Sequence, residues 1–178
     1  MTEIQDLVKK YNQVLKNTVE YREKWSDSLR KYIMEELEKL LEQADLEASV
    51  KLRDKVSNLE AIELTLGRSE SGLSHRVNKE IERALIKYNG ALIYQQLFNG
   101  KVMVLIHYPY IENYLNPRPP RTLAIYKADE FRDELFTEHF KEFLRDITAW
   151  EDFEQDEPHK QIGFKLNFDQ EEEGQENV

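Results

Sequence analysis

The sequence predicts an α+β domain with an N-terminal helical hairpin, an antiparallel sheet of four to five strands and two further amphipathic helices. Apolar residues recur at helical spacing over the first 56 residues and again from 131 to 150. Between these segments, Asn99-Gly100 stands between two apolar runs of strand length, as in a β-hairpin. Helices on both sides of a hairpin favour an antiparallel sheet that is covered by helices.

The first helix is predicted from apolar residues that recur in alternating steps of three and four, which places them on one stripe of a helix. Ser26-Asp27-Ser28 interrupts this pattern and offers side-chain oxygens that can cap a second helix, from Leu29 to Ala44. A third short helix is predicted between Leu46 and Val56. The stripe of the first helix consists of Ile4, Leu7, Tyr11, Val14, Thr18, Tyr21 and Trp25, and Val8 and Leu15 widen it.

These N-terminal helices have two interpretations. One is an antiparallel hairpin that packs on its own domain. The other is a coiled-coil arm that pairs two copies, because steps of three and four are those of a heptad repeat. The segment 1–57 is therefore either a packed arm or a part of the domain that follows it.

Two elements are predicted before the hairpin. Residues from Leu59 to Leu66 alternate between apolar and polar side chains, which is typical of a half-buried strand. Helical spacing then returns in a set that ends at Asn89-Gly90, a common helix stop. The set that predicts this helix is Val77, Ile81, Ala84, Leu85 and Tyr88.

The hairpin is predicted to close in a two-residue type I′ turn at Asn99-Gly100. This register pairs Leu97 with Val102 and Leu92 with His107, and it divides the side chains between two faces. One of these faces, the mixed face, is too apolar to be left in water, so the chain's own helices, a second copy or a ligand should cover it. The predicted core face carries Ala91, Ile93, Gln95, Leu97, Val102, Val104, Ile106 and Tyr108, and the mixed face carries Leu92, Tyr94, Gln96, Phe98, Lys101, Met103, Leu105 and His107.

A further strand is predicted from Leu123 to Lys127, followed by a long helix whose aromatic stripe makes it a main core element. Alternating apolar residues from Ile162 to Phe168 predict a closing strand, which completes a domain over 58–168. Residues 169–178 have nothing to bury and are predicted to be a disordered acidic tail. The stripe consists of Phe131, Leu135, Phe136, Phe140, Phe143, Leu144, Ile147 and Trp150.

Charge is distributed unevenly along the chain. The formal net charge is −10, but residues 151–178 hold ten acidic residues against two lysines, so residues 1–150 are nearly balanced. Such a body lacks the positive field that nucleic-acid binding usually needs, and no nucleic-acid partner is expected. The chain has no cysteine and no secretory signal or membrane-spanning run. These features predict a cytoplasmic protein without a membrane partner.

The sequence lacks the usual signatures of catalysis. It has neither a glycine-rich phosphate loop nor a nucleophile elbow, and its four histidines are too widely separated to seat zinc on one helix. The acidic segment from Glu154 to His159 lacks the pattern of a calcium loop and is interpreted as a solvated linker. No catalytic residue, cofactor or metal is predicted, which favours a non-enzymatic protein.

Two groups of side chains are candidates for contact with a partner or ligand. The first combines His107 with Tyr94, Gln96 and Lys101, since a histidine can titrate near neutral pH beside a polar ligand. The second lies in the loop 108–121, where prolines restrict the backbone and tyrosine and arginine are residue types that anchor interfaces. Each group also has a structural interpretation, as a strand end and as a rigid connection. The candidates in the loop are Tyr110, Tyr114, Arg118 and Arg121.

The sequence therefore favours a non-enzymatic intracellular protein-interaction module that forms homo-oligomers and binds a protein partner. One alternative is a small acidic chaperone or an immunity-type protein that binds a protein partner. Another is a small-ligand pocket around His107, which could be enzymatic. A closed cavity beside His107 would favour the ligand, whereas an apolar surface that requires a second copy would favour the interaction module.

Overall fold

The computed structural model describes residues 2–56, 59–114 and 116–152, and its α+β architecture confirms the predicted fold class. The predicted closing strand at 162–168, the acidic segment around His159 and the tail 169–178 lie outside the described residues. The helices are α1 (Glu3–Lys24), α2 (Arg30–Ala44) and α3 (Asp133–Glu151). The strands are β1 (Ser49–Val56), β2 (Leu59–Thr65), β3 (Arg68–Arg76), β4 (Glu82–Tyr88), β5 (Ala91–Gln96), β6 (Val102–His107), β7 (Tyr110–Ile111) and β8 (Arg121–Tyr126).

The strands form two antiparallel sheets that continue into each other. The larger sheet has the order β1-β2-β5-β6-β8, and the smaller has the order β3-β4-β7. Between them, the Leu66 N–H donates to the Gly90 carbonyl and the Asn89 N–H donates to the Gly67 carbonyl, both at 3.1 Å. Pairing is thus maintained through both connections, so the smaller sheet extends the larger one. We call the junction at Leu66–Gly67 and Asn89–Gly90, where both glycines have a positive φ, the bend.

Two predicted helices are strands in the structure. The segment from Val77 to Tyr88 was predicted to be helical, but its second half is β4, which lies between β3 and β7. The predicted helix from Leu46 to Val56 is β1, which pairs with β2 at the sheet edge. In both segments, cross-strand pairing outweighs weak local spacing, as is common where apolar residues are few.

The joint between α1 and α2 stays helical, so the break predicted at Ser26-Asp27-Ser28 is wrong. Residues Trp25–Leu29 form a π-helical turn, in which one extra residue is accommodated without ending the helix. The Ser26 and Ser28 hydroxyls donate to carbonyls of the preceding turn, at 3.3 and 3.4 Å, rather than capping a new helix. Trp25 and Leu29 are both buried in the core.

The hairpin turn is one residue longer than predicted, which changes its register. The Gly100 N–H donates to the Leu97 carbonyl at 2.9 Å, and the Leu97 N–H donates to the Lys101 carbonyl at 2.8 Å. Phe98, Asn99 and Gly100 therefore form a three-residue loop, with Gly100 at a φ of +75°. Gln96 consequently pairs with Val102, not with Met103.

This one-residue shift exchanges the two faces of β5, because side chains alternate along a strand. Leu92, Tyr94 and Gln96 lie on the core face with Val102, Val104 and Ile106, whereas Ala91 and Ile93 lie on the outer face with Leu105 and His107. The faces predicted for β6 were correct, and those predicted for β5 were wrong. The main core is built from α2, α3 and the inner face of the larger sheet, together with Trp25 and Leu29.

Candidate functional site

The first predicted group is not assembled in the structure. Tyr94 and Gln96 are buried on the core face, where the Gln96 Oε1 accepts a hydrogen bond from the Glu60 N–H at 3.2 Å. His107 lies on the opposite face, paired with Ala91, and Lys101 follows the turn. A single ligand therefore cannot contact His107 together with Tyr94 and Gln96.

The histidine beside Tyr94 is His139 of α3, which the sequence reasoning missed. Its Nδ1 lies 3.1 Å from the Tyr94 hydroxyl, and its Nε2 lies 3.0 Å from the Tyr126 hydroxyl. Burial lowers the pKa of His139 from 6.5 to about 4, so its ring is neutral at pH 7. A neutral imidazole has one donor and one acceptor, which satisfies both hydroxyls. His139 lies on the same apolar stripe of α3 as Phe136 and Phe143. This spacing in the sequence was the signal that could have placed His139 in the core.

The second predicted group is dispersed over the loop and its flanks. Tyr110 stacks on Tyr88 with ring centroids 4.4 Å apart, and the guanidinium of Arg118 lies 5.1 Å from the centroid of the Tyr108 ring. Tyr114 is 44 % exposed.

Arg121 has a structural partner. Its Nη1 donates to the buried carboxylate of Asp146 at 2.8 Å, and its Nη2 donates to Glu142 at 3.2 Å. Asp146 also accepts a hydrogen bond from the Tyr108 hydroxyl at 2.8 Å. These contacts fix β8 and the start of the loop to α3. Arg121 therefore has a structural role within its own chain.

A cleft of about 470 Å³ lies at the bend between the two sheets, and it includes His107 and Tyr110. Three cations line it, Lys51, Arg53 and Arg68, and Glu63 is the one acidic lining residue. Glu63 pairs with Arg53. The guanidinium of Arg68 lies 4.5 Å from the centroid of the Tyr88 ring, which orients its N–H groups without using them. The cleft is therefore a basic surface on an acidic protein.

Among the described residues, exposed apolar side chains are concentrated on α1, in which no residue is buried. We use the term exposed stripe for one set of its side chains, each of which is about half or more accessible to solvent. Polar residues such as Lys9, Gln13 and Lys16 occupy the remainder of the helix surface. The exposed stripe consists of Ile4, Leu7, Val8, Tyr11, Val14, Leu15 and Val19.

At its C-terminal end, the apolar side of α1 rests on the rest of the protein. We call the two sheets together with α2 and α3 the body. A Cβ atom on Gly100 would lie 2.7 Å from the Cβ of Tyr21 and 3.0 Å from the Thr18 carbonyl oxygen, so the hairpin turn approaches the helix closely. Trp25, the next residue in the repeat, is buried. Phe98, on the same turn, is 76 % exposed. The exposed stripe thus begins where the body ends.

The described residues hold no cluster of three or more His, Asp or Glu side chains that could bind a metal ion, and each of their buried side-chain polar atoms has a hydrogen-bond partner. None of the helices in residues 2–56, 59–114 and 116–152 combines the length and apolar character needed to cross a bilayer.

The chain was also compared with known proteins. No protein-family model, no curated protein and no solved structure matches this chain, so its function is inferred from its own surfaces.

Proposed function

We propose that this chain is a non-enzymatic protein-interaction module that self-associates through the exposed stripe of α1. The observation that supports the proposal is the contrast between the sequence of α1 and its surroundings. A 22-residue helix carries apolar residues at heptad spacing, yet none of its side chains is buried. Apolar surfaces of this kind, bordered by polar residues, are typical of interaction sites. The cytoplasmic location stays a prediction beside this proposal.

Helix energetics also support a partner for α1. In proteins, most of the stability of a helix comes from packing of its apolar face rather than from intrinsic helix propensity, and the apolar face of α1 is exposed over most of its length. The Gln5 side chain accepts a hydrogen bond from the Thr2 N–H at 3.1 Å, but such caps contribute only about 1 kcal/mol. The seven side chains of the exposed stripe offer an area on the order of the ~800 Å² that one partner contributes to a standard interface. Pairing would bury this area and stabilise the helix.

A second copy is favoured over a different protein because the repeat is self-complementary. Alternating steps of three and four from Ile4 to Val14, the part of the repeat that is exposed, give two helices with the same period a shared seam. The chain supplies this matching partner at its own concentration. The chaperone and immunity-type alternatives require an additional partner, and no described feature specifies one.

The proposal is tested by sedimentation velocity on the full chain. We expect dimers at tens of micromolar, and we expect Val14→Lys to raise the dissociation constant at least tenfold, because it places a charge in the seam. The matched control is Gln13→Lys, which adds the same charge at the adjacent position on the polar side. A monomeric wild-type chain at 100 µM, or equal effects of both variants, would refute self-association through the stripe.

A second candidate function is the binding of a small anion in the cleft at the bend. Lys51, Arg53 and Arg68 converge there in a chain of net charge −10, and the stacked guanidinium of Arg68 presents donors suited to a carboxylate or phosphate. The volume of the cleft falls in the range of small-molecule sites.

Pyrophosphate titration followed by NMR tests the cleft. We expect shifts at residues of the bend, and we expect Arg68→Gln to weaken binding several-fold. Arg83→Gln removes the same charge from an exposed position of β4 that does not line the cleft, and it should have no effect. Equal weakening by both variants would indicate general attraction by net charge and would rule out a site in the cleft.

A further inference from the structure

We propose that β8 binds residues 162–168 of the same chain as an added antiparallel strand, along the edge that faces away from β6. We call this side of Arg121–Tyr126 the open edge. The inference concerns a surface other than α1 and does not rest on the proposed self-association. Three observations support it: the open edge is unprotected, residues 162–168 have the pattern that a partner strand requires, and the chain leaves α3 within reach of this edge.

The two edges of the larger sheet differ in how they resist further pairing. Among the described residues, its strand order places β1 at one edge and β8 at the other. β1 carries Lys51, Arg53 and Asp54, and its register is irregular between Asp54 and Val56. Charged side chains and bulges are features by which natural sheets discourage an additional strand. The β1 edge is therefore protected.

The open edge of β8 has little such protection. Residues from Thr122 to Tyr126 include no charged side chain and no proline, and Arg121 is bound to Asp146. The register with β6 is irregular only at Leu123, and pairing is regular from Ala124 to Tyr126. An edge of this composition favours strand addition.

The open edge offers both backbone groups and apolar surface. Backbone groups alternate in direction along an antiparallel strand. The bond from the Leu97 N–H to the Lys101 carbonyl sets this alternation through β5 and β6, so Ile125 directs its N–H and C=O away from β6. The Ile125 side chain is 52 % exposed, and Leu123 and Tyr126 are only partly buried against the main core. An added strand would pair with the backbone groups and cover part of these side chains.

Residues 162–168 have the pattern that the open edge requires. Apolar residues alternate with polar or small ones, which would give a strand one apolar face and one face suited to water. The main core lies on one side of β8 only, so such a strand fits beside it. Lys165 would then lie on the new edge and protect it, as charged residues do at natural edges. The apolar positions are Ile162, Phe164, Leu166 and Phe168, and the positions between them are Gly163, Lys165 and Asn167.

Helix α3 brings the chain close to β8. Asp146 of α3 accepts a hydrogen bond from Arg121, at the start of β8. Earlier in α3, the His139 Nε2 lies 3.0 Å from the hydroxyl of Tyr126, at the end of β8. α3 therefore runs back along β8 and ends about 8 Å beyond Asp146. Residues 153–161 can span about 30 Å, whereas the six residues of β8 extend over about 20 Å, so the segment can reach either end of β8.

The hand of the connection selects the antiparallel orientation. Tyr94 points its side chain toward α3, and the alternation set by Leu97 directs its backbone groups toward β2. For L-amino acids, this places β2 to the right of β5 and β8 to the left, as seen from the helices with β5 and β8 pointing upward. A parallel strand beyond β8, reached over α3, would complete a left-handed crossover, which is rare. An antiparallel strand avoids this and continues the pairing found throughout the larger sheet.

Attachment to the same chain favours this occupant over a second copy or a separate protein. A short tether holds a segment at an effective concentration in the millimolar range. This concentration exceeds the tens of micromolar at which self-association through α1 is expected. Residues 162–168 would therefore occupy the open edge before a strand from another molecule.

Amide hydrogen exchange of the full chain, followed by NMR, tests the added strand. We expect the Ile125 amide to exchange about 100-fold or more slowly than in an unstructured peptide, because the strand accepts its hydrogen bond. Phe164→Asp places a charge on the apolar face of the segment and should raise that exchange rate about tenfold or more. The matched control Asn167→Asp makes the same change of charge on the opposite face and should leave the rate unchanged.

The outcomes separate this inference from the proposed self-association. An Ile125 amide that exchanges as fast as in an unstructured peptide would overturn the added strand, and so would protection that Phe164→Asp leaves unchanged or that both variants remove equally. Val14→Lys disrupts the seam of α1 and should leave the protection intact. Loss of protection in Val14→Lys would mean that a second copy covers the open edge, which would overturn the inference and support self-association. A monomeric chain with a protected Ile125 amide would do the reverse.

Disulfide formation tests whether the strand comes from the same chain, and the method suits this protein because it contains no cysteine. Ile125→Cys is combined in turn with Gly163→Cys, Lys165→Cys or Asn167→Cys, the positions expected on its face of the sheet. Mild oxidation of the dilute protein should give a cross-linked monomer with one of these, since a disulfide requires Cα atoms within about 7 Å. The control replaces Ile125→Cys by Lys51→Cys, at the protected edge, and should not cross-link. No product, cross-linked dimers or equal cross-linking from position 51 would each overturn the proposed strand.

Discussion

Helices α1 and α3 have similar amphipathic sequences and opposite surroundings. Over 22 residues, α1 buries no side chain, whereas α3 buries seven over 19 residues. Both have an apolar stripe of helical period, so periodicity alone predicts the same fate for each. An amphipathic pattern therefore identifies an apolar face but does not identify what covers it.

The two stripes differ in the polar residues they contain. The stripe of α3 includes His139 and Asp146, and each has partners on the sheet side: Tyr94 and Tyr126 for the histidine, and Arg121 for the aspartate, among others. Such buried groups are tolerated only where their partners are in place. The exposed stripe of α1 has no comparable links to the body. Polar residues with matched partners therefore mark the helix that belongs to the core.

The largest effect is expected from Phe143→Ala in α3. Phe143 is fully buried, and its removal leaves a cavity, so the free energy of unfolding should fall by about 3–5 kcal/mol. Urea denaturation of the dilute protein measures this change. A loss below about 1 kcal/mol would mean that α3 is not a main core element.

Acid should destabilise the protein through His139. Its pKa is about 4 in the folded chain and about 6.5 when the ring is solvated, so the unfolded chain takes up the proton first. Stability is fully present above pH 6.5 and declines as the pH falls toward 4, by roughly 3 kcal/mol at most. We expect His139→Gln to flatten this decline between pH 7 and pH 5 relative to the wild type. The exposed control His75→Gln should retain it, and an unchanged slope in His139→Gln would contradict the role of burial.

Arg121→Gln is expected to have an intermediate effect. It removes the cation from the buried carboxylate of Asp146, which costs about 1–3 kcal/mol, while the Tyr108 hydroxyl remains as a partner. Arg118→Gln removes only a contact above the Tyr108 ring and should cost less than about 1 kcal/mol. Thermal melts of the two variants make the comparison. Equal melting temperatures would mean that the Asp146 pair does not hold β8 to α3.

The smallest effect on the isolated chain is expected from Leu7→Ala in α1. Leu7 is 61 % exposed, so the unfolding free energy of the dilute monomer should change by less than about 0.5 kcal/mol. At tens of micromolar, the same variant should weaken self-association in sedimentation experiments. A large loss of stability in the dilute monomer would show that α1 is covered by its own chain, which would make it resemble α3.

Much of the fold could be predicted from the sequence, because its strongest patterns are also its largest elements. Helical spacing correctly predicted α1, α2 and α3, and the alternation of apolar and polar residues correctly predicted β2. The segment from Val77 to Tyr88 did not, since its spacing omitted Ile86 and its pairing partner β3 has few apolar residues. The strand conformation of this segment depends on its pairing with β3 and β7. The spacing of apolar residues within the segment carries no information about such pairing.

The candidate site was harder to predict because it depended on register. Asn99-Gly100 correctly marked the hairpin, but Gly100 adopts its positive φ as the last residue of a three-residue loop. That choice moved Tyr94 and Gln96 into the core and separated them from His107. The close approach of Tyr21 to Gly100 belongs to the same turn, and no local pattern predicts it.

Through the π-helical turn at Trp25–Leu29, α1 continues into α2 without a break. The backbone is helical from Glu3 to Ala44, and Trp25 anchors the C-terminal end of α1 through a hydrogen bond from its Nε1 to Glu60 at 2.9 Å. Because the helix is continuous, each residue added to or removed from α1 would shift its N-terminal end by about 1.5 Å and rotate it by about 100° relative to the rest of the chain. The length of α1 therefore specifies both the distance and the angle at which the body is held from anything bound to the helix.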